Sequence, residues 1–174
     1  MKWLFFNCRG LDSPQNKLAL KRLISCEPYD IIFLQETLGS SDQTIKIFLS
    51  ILPGWHFQAM DVAGRSRGLS LGINPQTIRV ITSWGGLGFL GMDLFTTTLG
   101  KHICIINIYA PYQNRLDFWN QFLDGPLTNS TTILGDDLNF SIGHEESWGH
   151  HSQLDPLSDQ LSSIFDHKGL MMSL

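Results

Sequence analysis

Cysteine is scarce in this chain. Cys8, Cys26 and Cys104 are the three present, and they are widely spaced. They form no CxxC pair and no zinc pattern. They read as buried free thiols of a reducing compartment. Charge is scarce as well. Charged residues make up 16% of the 174 residues and hydrophobic ones 43%, a balance that excludes disorder. Basic residues are outnumbered, 12 against 16 acidic, for a net charge of −4. That excludes a surface that clamps nucleic acid broadly. A nucleic-acid partner would need local basic residues or metal ions to offset the repulsion.

Long apolar runs are also missing. No segment approaches the length of a membrane span. The opening Met1-Lys2-Trp3-Leu4-Phe5-Phe6 is too short an apolar run for a signal peptide, and Asn7-Cys8-Arg9-Gly10 follows at once. The sequence therefore reads as soluble and intracellular, nuclear or cytoplasmic, with no membrane partner. There is no internal repeat, linker or low-complexity stretch, and the length suits one domain over residues 1–174.

What is present alternates between strand and helix. Trp3 to Phe6 reads as a strand buried on both faces. Ser13-Pro14 starts a helix with stripe Leu18, Leu20, Leu23 and Ile24, and Pro28 stops it. Ile31 to Leu34 is a second buried strand, so the first two strands form a βαβ unit in one sheet. Asp42 can cap a second helix with Ile45, Phe48, Leu49 and Leu52 inward. Strands are expected at 55–60, 68–73 and 77–84, with a polar loop at 61–67. Gly85-Gly86-Leu87-Gly88 lacks the Lys-Ser/Thr ending of a phosphate loop, and no helix follows, so hairpin turns are the simpler account. Paired strands at 92–99 and 101–109 precede a helix at 115–122 with Leu116, Trp119, Phe122 and Leu123 inward. A short strand at 131–134, a polar loop at 141–153 and a last helix at 156–166 complete the reading.

The stretch Ile133-Leu134-Gly135-Asp136-Asp137-Leu138-Asn139-Phe140 is where chemistry is expected. The apolar strand empties into a turn with two aspartates and an asparagine, and strand ends carry function in α/β folds. Asp137 and Asn139 share a side if the turn stays extended. Three other buried strands end in polar residues: Asn7, Glu36 and Tyr109. This set suits phosphodiester hydrolysis. Glu is a hard oxygen ligand for Mg²⁺, Asp can orient or deprotonate water, and Asn and Tyr donate to phosphate oxygens without adding charge. Arg65 and Arg67 are candidates to meet a substrate phosphate, although charge on an exposed hairpin is the plainer reading. His144, His150 and His151 read as a solvated loop.

The order Phe-Asn-Cys-Arg-Gly, Ile-Ile-Phe-Leu-Gln-Glu-Thr, Ser-Arg-Gly-Leu-Ser-Leu, Ile-Asn-Ile-Tyr-Ala-Pro and Leu-Gly-Asp-Asp-Leu-Asn-Phe resembles the endonuclease/exonuclease/phosphatase superfamily. Within it, the apurinic-endonuclease-like domain of LINE-type retrotransposons, especially plant ones, is most similar. The resemblance implies a DNase I-like four-layer α/β sandwich. It implies Mg²⁺, or Mn²⁺, at Glu36 and Asn7, with Tyr109 on the phosphate and Asp137 and Asn139 handling water and transition state. It implies DNA as the substrate and, in a full-length relative, a reverse transcriptase domain on the same chain.

The sequence departs from that pattern in three places. Asp136 stands where the family has glycine, and Leu138 where it has phenylalanine. Ser66-Arg67-Gly68 replaces Ser-Gly-Gly. The last residues, Gly169 to Leu174, come before the late Ser-Asp-His motif that would supply a histidine and a metal-binding aspartate. The expectation is a fold incomplete at the C-terminus and weak or absent activity. The alternatives are an inert remnant of a mobile element, or a phosphoesterase acting on a lipid or sugar phosphate.

Overall fold

The computed structural model describes residues 1–61, 68–125, 131–137, 139 and 155–167, with Asp136, Asp137, Ile164 and His167 given by their backbone. The elements are β1 (Trp3–Asn7), α1 (Pro14–Ser25), β2 (Ile31–Gln35), α2 (Ser41–Ile51), β3 (His56–Met60), β4 (Leu69–Ile73), β5 (Ile78–Gly86), β6 (Phe89–Thr96), β7 (Lys101–Tyr109), α3 (Arg115–Asp124), β8 (Thr132–Asp137) and α4 (Ser158–His167). They divide into two compact units, Met1–Asp137 and Leu138–Leu174.

The first unit holds two mixed four-stranded sheets, ordered β1-β2-β4-β3 and β5-β6-β7-β8. β1 and β2 are parallel, as are β7 and β8, and the remaining pairs are antiparallel. The apolar runs are continuous because each central strand feeds two layers. Ile31 and Phe33 of β2 join Leu71, Met92 and Ile105 in the core between the sheets. Ile32 and Leu34 face the other way, with Leu20, Ile24 and Phe48 of α1 and α2. On the far side, α3 buries Trp119, Phe122 and Leu123, and Phe122 meets the Phe89 ring edge-on at 5.4 Å. The layers run helix, sheet, sheet, helix: an α/β sandwich of the expected class.

The helices start where side chains can take up free N–H groups. Ser13 Oγ accepts from Asn16 N at 3.0 Å, with Pro14 at the first helical position. For α2 the cap is Ser40 rather than Asp42. Its Oγ accepts from Gln43 N at 3.2 Å, and Asp42 sits in the first turn, where a negative charge suits the helix dipole.

Two expected stripe residues are exposed, Leu18 and Leu49. Leu18 lies two residues from buried Leu20, on the opposite side of a helix, and Thr44 rather than Leu49 shares the buried face with Phe48. Cys26 is exposed too, whereas Cys8 and Cys104 are buried.

β1 is not buried on both faces. It is the edge strand of its sheet, and Trp3 and Phe5 are each about two-fifths exposed, at 41% and 43%. One face of Phe5 is still used, stacked on Phe33 at 4.3 Å. The glycine-rich stretch forms a hairpin, with Gly85 and Gly86 inside β5 and the turn at Leu87-Gly88. Gly88 has φ +80°, open to glycine at little cost.

In the second unit, the backbone enters α4 through an Asp155 turn. Its Oδ1 accepts from Leu157 N at 3.0 Å and its carbonyl from Ser158 N at 2.9 Å. Leu161 and Phe165, one helical turn apart, are both buried. Among the described residues no helix is long and apolar enough to cross a membrane.

Candidate active site

Four strands of the first unit end at one place. Asn7 pairs with Gln35 where parallel β1 and β2 finish. The ladder then continues beyond the strands: Cys8 N donates to Gln35 O at 2.9 Å, Gly10 N to Glu36 O at 2.8 Å, and Leu11 N to Thr37 O at 3.0 Å. Within it Arg9, Glu36 and Leu38 adopt left-handed conformations, with φ of +47°, +52° and +57°. Non-glycine residues rarely do so, and such strain persists only where surrounding bonds over-determine it. Here it turns Glu36 out of β2 and into a buried position, 7% exposed.

The Tyr109 phenol, at the end of β7 in the other sheet, donates to Glu36 Oε1 at 3.1 Å. Asp137, at the end of β8, is the parallel partner of Tyr109. So the ends of β1, β2, β7 and β8 converge. The expected turn at Asp136-Asp137 is strand instead, because β8 keeps pairing with Ile108 and Tyr109.

Behind the carboxylate lies a polar clamp between the sheets. Asn107 Nδ2 donates to Leu34 O at 2.9 Å and Ser70 O at 3.0 Å. Gln35 Nε2 donates back to Asn107 Oδ1 at 3.1 Å and Ile108 O at 2.8 Å. Both side chains are buried, and buried amides need such partners. The clamp fixes β2 against β7 next to Glu36 and Tyr109. β8 is held just as closely. Gly135 lies beneath Phe5 and Phe33, where a β-carbon would stand 2.2 Å and 2.5 Å from ring atoms.

Burial keeps the site's hydroxyl and thiol protonated. Burial raises the Tyr109 phenol well above its usual range, and hydrogen bonding with Tyr112 and Glu36 adds to this, so Tyr109 stays a donor. Burial pushes the Cys8 thiol up to about 12, opposed by a backbone hydrogen bond at Gln35 and aided by the charge of Glu36.

The donor set suits a hard cation. Glu36 offers a carboxylate. The Asn7 Oδ1, which accepts from Arg9 N at 3.1 Å, is a neutral amide oxygen of the kind such an ion also takes. Mg²⁺ asks for one or two carboxylates and keeps waters for its other positions. The described residues contain no group of three or more His, Cys, Asp or Glu side chains, as a closed transition-metal site would use.

Of the residues foreseen from sequence, the structure brings together Asn7, Glu36, Tyr109 and the backbone of Asp137. Asn139 belongs to the second unit, where its φ is +52°. Arg65 and Arg67, along with the histidine loop and residues 168–174, lie outside the described residues. Sequence reading missed Gln35, Asn107, Thr37 and Tyr112. Asn107 did carry a signal, as the one polar residue in the apolar run from Ile103 to Ile108. Thr37 is buried beside Glu36, and its Oγ1 has no hydrogen-bond partner among the described residues.

No protein-family profile and no curated protein matches this chain. Solved structures do. An AP endonuclease from Archaeoglobus fulgidus superposes with a TM-score of 0.69 at 14% identity, over 95% of this chain and 69% of that one. The endonuclease domain of TRAS1, a telomere-specific non-LTR retrotransposon, gives 0.65 at 14% identity, over 95% and 71%. Humanized D. rerio TDP2 gives 0.61 at 12% identity, over 79% and 62%. A Bacteroides thetaiotaomicron endonuclease/exonuclease/phosphatase family protein is also similar, with a TM-score of 0.56 at 12% identity, over 79% and 61%. The chain thus has the fold of endonuclease/exonuclease/phosphatase proteins. It spans about three-fifths of the length of the first structures it matches.

Proposed function

We propose that this chain carries a Mg²⁺-dependent phosphodiesterase function that cuts DNA, of the kind carried by LINE-type retrotransposons beside a reverse transcriptase. One observation carries the reading. The Tyr109 phenol and the Glu36 carboxylate, from different sheets, meet at 3.1 Å where four strands end. Glu36 and Asn7 would hold Mg²⁺, with Mn²⁺ as a substitute. When bound, the ion would polarise the phosphoryl oxygen and offset its charge. Tyr109, kept protonated by burial, would turn its one proton from Glu36 to a non-bridging phosphate oxygen when substrate binds. Asp137, opposite Tyr109, takes the proton of the attacking water. Asn139 enters the proposal from the sequence resemblance alone.

The test is nicking of supercoiled plasmid by the 174-residue chain with Mg²⁺, with Mn²⁺ and with EDTA. Metal-dependent nicking that is lost in Glu36→Gln and Asp137→Ala supports the reading. A chain inactive with every metal, alone and joined to a C-terminal segment that supplies the Ser-Asp-His motif, would favour the inert-remnant reading.

A further inference from the structure

The rim of this site carries two exposed apolar side chains that a site for bare phosphate does not need. Tyr112, three residues beyond Tyr109, is 60% exposed. It follows the end of β7, where the Tyr109 phenol donates to Glu36 at 3.1 Å. Leu87, at the tip of the β5–β6 hairpin, is 73% exposed. That hairpin is tied to the same strand end, because the Gly88 carbonyl accepts from Tyr109 N at 2.8 Å. An aromatic ring and an aliphatic tip therefore flank the end of β7, next to the carboxylate.

Both side chains leave apolar surface in water, and neither serves the core. With a net charge of −4, the chain cannot draw a polyanion by bulk charge. Beside local cations and a bound metal ion, contacts that charge does not oppose add to binding. A flat ring beside a phosphate-type site fits an unstacked nucleobase, since every base has a π-face.

We propose that Tyr112 is a stacking platform for a nucleobase next to the reacting phosphate, with Leu87 closing the other side. The proposal rests on the phosphodiesterase reading and specifies its substrate class as an unpaired nucleotide in a nucleic-acid strand.

The experiment measures binding rather than turnover. Fluorescent oligothymidylate and the same sugar-phosphate backbone without bases are titrated with the native chain, Tyr112→Phe and Tyr112→Ala. Anisotropy is the readout, and circular-dichroism melts confirm folding. The native chain is expected to prefer the base-bearing strand by about tenfold, the size of one aromatic–base stack. Tyr112→Phe keeps most of that preference, and Tyr112→Ala removes it.

Equal affinity of the native chain for both strands would overturn the proposal, and so would an undiminished preference in folded Tyr112→Ala. Mannose 6-phosphate displacing the strand as well as thymidine 5′-monophosphate does would also overturn it, in favour of a sugar ring on the tyrosine. Metal-dependent hydrolysis of bis(4-nitrophenyl) phosphate, compared with Glu36→Gln, is scored separately. Base preference without hydrolysis, by this chain and by one joined to the Ser-Asp-His segment, supports the platform and sinks the phosphodiesterase reading. Hydrolysis without base preference does the reverse.

Discussion

Tyr109 and Glu36 are 73 residues apart in sequence and 3.1 Å apart in space, joined by a hydrogen bond across the two sheets. Neither is well placed alone. Glu36 needs a left-handed backbone to leave β2, and Tyr109 needs burial to keep its proton. The bond is therefore a sensor of whether the sheets are in register.

Tyr109→Phe should weaken the fold by about 1 kcal/mol, the usual net value of such a bond. Glu36→Leu should weaken it similarly, since glutamine would keep an oxygen able to accept the bond. The double variant should lose less than the sum, because both remove the same contact. Urea midpoints of the four proteins give the cycle. Strict additivity would mean that the bond contributes nothing in solution.

The clamp behind the site should matter more. Asn107→Ala leaves Leu34 O, Ser70 O and one N–H of the Gln35 amide without their partner in a buried layer. Each unmet buried group costs about 1–3 kcal/mol, so a loss on the order of 3–5 kcal/mol is expected. Asn107→Asp should be at least as harmful at neutral pH, since a carboxylate cannot donate to the two carbonyls. Urea unfolding of the three proteins is the check. A change below about 1 kcal/mol in both variants would show that water replaces the amide.

Most of this architecture was legible in the sequence, for identifiable reasons. Continuous apolar runs such as Ile31 to Leu34 mark strands fed from both faces, and Ser-Pro marks the start of α1. The polar residues that end those runs located Asn7, Glu36 and Tyr109. Edge status was not legible. Trp3 and Phe5 look like core residues until the strand order puts β1 at a border. The competition between Ser40 and Asp42 for the cap was also invisible, because either side chain can accept from the helix N-terminus. Nor could Gln35 and Asn107 be paired, since their bonds depend on how two sheets are stacked and no local pattern encodes that.

Gly135 is needed for close approach rather than for a turn. Gly135→Ala would push a methyl group against Phe5 and Phe33. Phe5 is partly exposed and can move, but Phe33 is fully buried. Overpacking of this kind costs about 1–3 kcal/mol. Phe5→Ala alone should destabilise the chain modestly, yet in the Gly135→Ala background it should be neutral or restoring. Thermal melts of the set test this. If Phe5→Ala is equally harmful in both backgrounds, the two residues do not compete for the same space.

Alkaline pH should unfold this chain through its buried thiols. Burial holds Cys8 and Cys104 protonated to about 12 in the folded chain, against an ordinary thiol value near 9.0. Because the folded values are raised, their contribution is fully present below the unfolded value. It is lost as pH climbs from there toward the folded value, while the unfolded chain ionises first. The expected slope is a loss of about 1.4 kcal/mol per pH unit for each thiol above roughly pH 9. Urea midpoints at neutral pH and between about pH 9 and 10 should fall steeply for the native chain. Cys8→Ala and Cys104→Ala should each remove part of the slope, whatever their effect on absolute stability, and the double variant should remove more. Exposed Cys26 should react with a thiol reagent in the native state, while the other two react only on unfolding. An unchanged slope in the double variant would assign the alkaline loss to other groups, with Tyr109, also raised by burial, the next to test.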